Sequence, residues 1–159
     1  MRVKNKSVIV TGAGGGIGEG IAKRLAQEGA QVIVNDINEA LGLQVVDAIL
    51  REGGRASFFA ADVTKSEQVK ALVEAAVERH GKLDAMVNNA GWTHRNRPAL
   101  EVGEDEFDKC YAVNMKSIYL ATVHAVPAFR ANKGGSFINI ASTAGVRPRP
   151  GLSLSLIHI

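Results

Sequence analysis

A glycine-rich turn, TGAGGGIG at residues 11–18, joins a short β-branched run, SVIVT at 7–11, to a helical pattern, and no other feature constrains the fold as much. Glycines at such a junction let the backbone turn sharply and approach an anion closely. The first N–H groups and the dipole of the following helix favour negative charge there. Gly12, Gly16 and Gly18 are therefore candidates to cradle a pyrophosphate. A Walker A loop is excluded, because Gly18 is followed by Glu19 and not by the Lys-Ser/Thr that holds terminal phosphates and a metal. The G-x-G-x-x-G spacing is also absent, and what stands there is T-G-x-x-x-G-x-G. A flexible connection that binds nothing is the plain alternative, which the strand–turn–helix context disfavours.

Four further runs resemble the first: QVIVN at 31–35, ASFFAA at 56–61, LDAMVN at 83–88 and SFINIA at 136–141. Most are apolar without strict alternation, as in strands covered on both faces. Helical patterns separate them. Ile17, Ile21 and Leu25 mark a first helix ending before Gly29; Leu41, Val45 and Ile49 mark a second closing at Gly53 and Gly54. A third opens on Thr64 and Glu67 in capping-box spacing and continues with Val69, Leu72, Val73, Ala76 and Val77. A fourth spans about 104–131, with a bend or end expected near Pro127. This alternation predicts an α/β domain with a parallel sheet and ligands at the carboxyl ends of its strands.

With 159 residues the chain fits one domain, and 46% hydrophobic with 22% charged residues exclude a disordered or collagen-like chain. A net charge of +3, evenly scattered, argues against a nucleic-acid or membrane partner. Cys110 is the single cysteine, so no internal disulfide forms, and no signal peptide or membrane span is readable; a cytoplasmic address is expected. Cys110 reads as packing among Phe107, Tyr111 and Val113, and His80, His94, His124 and His158 show no metal-ligand or triad spacing, so no metal is expected.

Asp36, at the end of the second strand and 18 residues after Gly18, can accept hydrogen bonds from a ribose diol. A 2′-phosphate there would meet like charge, and neither the turn nor Ile37 offers a compensating Arg or Lys, so NAD is expected over NADP. The alternative is that Asp36 caps the next helix. Arg95, Arg97, Arg147 and Arg149 follow the fourth and fifth strands and suit either an anionic substrate or, more simply, solvated loops.

Taken in order, these residues resemble the short-chain dehydrogenase/reductase family from residue 6 to about 153. The resemblance implies a doubly wound parallel sheet (Rossmann fold) of strand order 3-2-1-4-5, incomplete at the C-terminus. It makes the whole turn, Thr11 and Ile17 included, a cofactor motif. By the same resemblance Asp62 and Val63 contact adenine, and Asn89, Ala90 and Gly91, with Asn88, steady the sheet beside the cofactor. Asn114 and Ser142 resemble two catalytic residues, Ser142 polarising the reacting oxygen and Asn114 supporting a proton relay. Hydride exchange between NAD(P) and a small carbonyl or secondary alcohol is implied, in a parent protein that is a homo-oligomer.

The pattern then breaks. The family's Tyr-x-x-x-Lys falls on Ser155 and Ile159, neither of which can carry the proton. Residues 1–153 are therefore expected to be the N-terminal part of the dinucleotide domain. Residues 154–159, LSLIHI, which match a translated transposase-adapter end, are expected to be a non-native tail. Two other functions fit less well: a non-catalytic dinucleotide-binding or redox-sensing module, and an adenosylmethionine-dependent methyltransferase. The latter would want an acid just before the glycines, where Thr11 stands.

Overall fold

The computed structural model describes residues 1–142 and residue 151. Strands β1 (Ser7–Val10), β2 (Gln31–Asp36), β3 (Arg55–Ala60), β4 (Ala85–Asn88) and β5 (Ser136–Asn139) form one parallel sheet in the order β3-β2-β1-β4-β5. Strand ends differ from the sequence reading by up to two residues. Helices α1 (Gly16–Gln27), α2 (Glu39–Arg51), α3 (Ser66–His80), α4 (Glu104–Tyr111) and α5 (Ser117–Ala131) lie between them. Alternate side chains of β1 feed two cores. Val8 and Val10 meet Ala22, Ala26, Val45 and Ile49 of α1 and α2, while Ile9 meets Val69, Leu72, Leu120 and Phe129 of α3 and α5. Both faces of β1 are thus dry, which is why its sequence is apolar throughout. Among the described residues no helix is long and apolar enough to cross a membrane.

The chain leaves β1 first toward β2 and β3, then crosses back to β4 and β5. The reversal opens a crevice at the carboxyl ends of β1 and β4, where ligands bind in sheets of this kind. The amino ends are closed by Asp84, which accepts from Lys6 Nζ at 2.8 Å and the Ser7 N–H at 2.9 Å and pairs with Lys82. Burial alone would raise its carboxyl, but the bonds from Lys6, Ser7 and Lys82 prevail and hold it at about 2.

Several helix expectations need correction. α1 fully buries Gly18, Ala22 and Ala26; Ile21 and Leu25 are half-buried and pack against the same core, and of the expected stripe Ile17, 68% exposed, stands away from it. The small residues let α1 lie close to β1 and the turn. α2 buries Val45, Val46 and Ile49, with Leu41 45% exposed, and α3 leaves Val77 partly exposed. Thr64 and Glu67 form no capping box: Lys65 is the N-cap of α3, and the Thr64 hydroxyl donates to Asp62 Oδ1 at 2.7 Å. The helix starts one residue later than the capping spacing requires, which leaves Thr64 outside the N-cap position and turns its hydroxyl to the carboxylate two residues back. The 104–131 helix exists at its expected limits, but Pro127 neither ends it nor marks its irregular part. Burial of Leu120, Ala121, Ala125 and Phe129 carries α5 past the proline, and the irregularity is a π-helical turn at Ala112–Lys116.

Candidate dinucleotide site

The glycine turn and the loop after β4 are packed against each other so tightly that side chains are excluded. Gly12 has φ +59°, and a Cβ on it would lie 2.8 Å from Ala90 Cα. A Cβ on Gly18 would strike the Gly12 carbonyl and sit 2.5 Å from Asn89 Nδ2. Thr11 is the buried pin between the two segments. Its Oγ1 accepts from the N–H groups of Asn89 and Ala90, both at 3.0 Å, and donates to the Val87 carbonyl at 3.3 Å. Asn89 Nδ2 reaches back to the Thr11 and Gly12 carbonyls at 2.9 and 3.0 Å. Asn88 instead donates across to Asn139 Oδ1 at 2.8 Å, joining β4 to β5. The Asn89 amide and the Thr11 hydroxyl thus settle backbone groups where β1 and β4 end, whereas the Asn88 amide bonds a side chain.

Above this floor lies a cleft of about 440 Å³, walled by Gly12, Asp36, Asp62, Val63, Asn89, Ala90 and Gly91 among the expected residues. Thr11 and Gly18 lie buried beneath it, while Gly16 and Ile17, at the exposed start of α1, do not line it. The α1 N-cap is Gly15, which brings no side-chain acceptor to the first-turn N–H groups. Asp36 Oδ2 accepts from the Gly14 N–H and Oδ1 from the Asn38 N–H, both at 2.9 Å, so its carboxylate fixes the turn's height above β2. It does not cap α2: Asn38 does, with Oδ1 accepting from the Leu41 N–H at 3.1 Å. Asp62 takes both Thr64 donors on Oδ1 and gives its own N–H to Gln68 Oε1.

A second cleft, of about 430 Å³, brings Asn114 and Ser142 into one lining with Gly91, Trp92, Met115 and Ile118. The π-helical turn is centred on Asn114, and its carboxamide grips the main chain of Trp92. Cys110 is buried beside it, and burial pushes its thiol up, away from the reactive thiolate. Arg97 is committed to an ion pair with Glu106, and Arg147 and Arg149 lie outside the described residues. His80 and His124 bond to Ser7 and Ser66, and His94 to the Arg95 carbonyl, while His158 lies outside the described residues. Among the described residues no His, Cys, Asp and Glu cluster fits a metal. Ser155 and Ile159 fall outside the described residues.

Sequence reasoning missed Asn35, Trp92 and Lys109, all of which line the first cleft. Asn35 was visible as the polar residue that closes an apolar run; it is fully buried and donates to the Phe59 and Ala61 carbonyls, clamping β3 to β2. Trp92 was signalled only by its place after residues 88–91, and Lys109 by nothing in the string.

The family model described as short chain dehydrogenase matches residues 6–154. The chain belongs to the short-chain dehydrogenase family. It is 46% identical over 153 residues to the 4-formylbenzenesulfonate dehydrogenase of Comamonas testosteroni, covering 96% of this chain and 61% of that one. To the diacetyl reductase [(S)-acetoin forming] of Staphylococcus epidermidis it is 40% identical over 142 residues, 89% of this chain and 55% of that one. The fold superposes at a TM-score of 0.93 and 33% identity on a 7α-hydroxysteroid dehydrogenase solved with NADH and 7-oxo glycochenodeoxycholic acid, over 99% of this chain and 61% of that one. A metagenomic short-chain oxidoreductase solved with NADP gives 0.92 at 32% identity, over 99% of this chain and 72% of that one. This short-chain dehydrogenase chain spans about three-fifths of the length of the curated relatives it matches.

Proposed function

We propose that this chain is the dinucleotide-binding portion of a cytoplasmic, homo-oligomeric oxidoreductase that exchanges hydride between NAD and a small carbonyl or secondary alcohol. The observation that carries the reading is the glycine turn, where a Cβ on Gly12 or Gly18 would collide with the packed backbone and one on Gly14 would collide with the Asp36 carboxylate that its N–H bonds. The residues fit the group. The Gly12–Gly15 backbone, ending at the N-cap of α1, would hold a diphosphate, Asp36 a ribose diol, and Asp62 with Val63 the adenine edge. When bound, the nicotinamide supplies hydride acceptance and donation. For its part the chain brings the Ser142 hydroxyl to the second cleft, where it would donate to the substrate oxygen, and holds Asn114 beside it on the π turn. Neither Ser155 nor Ile159 can carry the proton, so the 159-residue chain is expected to bind without turnover.

Isothermal calorimetry of the purified chain with NADH, NADPH and adenosylmethionine tests this. NADH should bind, more tightly than NADPH, and adenosylmethionine should give no heat of binding. Preference for adenosylmethionine would move the chain to the methyltransferase reading. Dehydrogenase turnover by the 159-residue protein would overturn the assignment of the proton carrier to residues absent from positions 155 and 159.

A further inference from the structure

Trp92 is the single tryptophan of the chain, and it lies where the two clefts meet, lining both. Two independent grips fix it, and both come from the same stretch of helix. The first is on its main chain. The Trp92 N–H donates to Asn114 Oδ1 at 2.9 Å, and Asn114 Nδ2 donates to the Trp92 carbonyl at 2.8 Å and to Cys110 Sγ at 3.3 Å. The second is on its ring. The Lys109 ammonium stands 4.5 Å from the indole centroid, a cation–π contact, and Lys109 itself lines the dinucleotide cleft.

The consequence follows from the valence of a carboxamide. Both oxygen and nitrogen of Asn114 are engaged with one residue, so the Trp92 backbone cannot shift without carrying Asn114 with it or breaking two hydrogen bonds. The Trp92 backbone continues directly from Asn89, Ala90 and Gly91, the loop that Thr11 pins to the glycine turn. We infer that Lys109 and Trp92 are positioning residues that tie occupancy of the dinucleotide cleft to the placement of Asn114 in the second cleft. A nucleotide packed against the indole and Lys109 restrains the ring, the ring restrains the peptide units on either side of it, and those units hold the Asn114 carboxamide. The inference rests on the dinucleotide reading above.

The test uses the 159-residue chain with two readouts, calorimetry for NADH and the ¹⁵N–¹H resonances of the Asn114 side-chain amide, assigned by their loss in Asn114→Asp. Saturating NADH should shift those resonances in the native chain. In Lys109→Met, which takes a cation out of the lining of the dinucleotide cleft, the affinity should fall about threefold, the factor that one partly exposed ion contact to an anionic ligand carries. The NADH-induced shift at Asn114 should also be largely lost. Lys109→Arg, which keeps a cation over the indole, should restore both. NADH binding with the Asn114 amide unmoved would overturn the tie while leaving the dinucleotide reading intact, and so would an undiminished shift in Lys109→Met. No calorimetric binding of NADH would overturn both.

Discussion

Replacing Thr11 by valine isolates the pin that joins the two halves of the site. Valine has nearly the shape of threonine, so packing in this buried position is preserved, while the Oγ1 acceptor disappears. The Asn89 and Ala90 N–H groups then lose the acceptor they share at 3.0 Å, each at a cost of about 1–3 kcal/mol for an unsatisfied buried donor. The Val87 carbonyl keeps the Thr11 N–H at 3.0 Å, so nothing further is lost on that side. A total of about 3 kcal/mol is expected, roughly a hundredfold in the unfolding constant. Thr11→Ser keeps the acceptor and loses one methyl, about 1 kcal/mol. Urea unfolding followed by Trp92 fluorescence measures both variants, and calorimetry with NADH follows the site. A Thr11→Val chain within 0.5 kcal/mol of the native one, or no more destabilised than Thr11→Ser, would refute the claim that this hydroxyl organises the loop.

Gly18→Ala should abolish NADH binding as measured by calorimetry and lower the urea midpoint, because the new methyl strikes the Gly12 carbonyl and Asn89 Nδ2 and the turn must move. Asp36→Ala should narrow the preference for NADH over NADPH by about tenfold in paired titrations, since the like charge facing a 2′-phosphate is gone. It should also loosen the turn, which loses its bond from the Gly14 N–H. Asp84 sets an acid limit. Its folded value of about 2 lies below the ordinary 3.8, so its contribution, about 2 kcal/mol, is present above pH ~4 and lost as pH falls through that window toward 2. Unfolding free energies between pH 5 and 2 should show this decline in the native chain and a flatter one in Asp84→Asn.

The sheet and its order were legible because the apolar runs of β1 and β2 and the resemblance at residues 11–18 and 88–91 agree on one topology. Helix faces were less so. In α1 the stripe Ile17, Ile21 and Leu25 is only partly realised: Ile21 and Leu25 pack half-buried against the core, Ile17 is exposed, and the fully buried positions are Gly18, Ala22 and Ala26, because distance of approach as well as hydrophobicity decides which side lies nearest the sheet. Pro127 misled for a related reason, since local propensity yields to the packing of Leu120, Ala125 and Phe129. At the site, residues whose backbone must turn were readable from glycine alone. Trp92 and Lys109 were not, because their meeting depends on a loop crossing a helix, and no spacing rule encodes that.

The π turn at Ala112–Lys116 makes chain length itself a constrained quantity in this segment. A π turn spends one more residue than an α turn on about the same rotation, so removing one residue within Ala112–Lys116 would leave α4 and α5 in phase but would close the bulge that aims Asn114 at the Trp92 main chain. Side chains there can be exchanged one for another with graded effects. The loss of one frame-preserving codon is not graded, since it removes the widened turn itself and with it the placement of the Asn114 carboxamide.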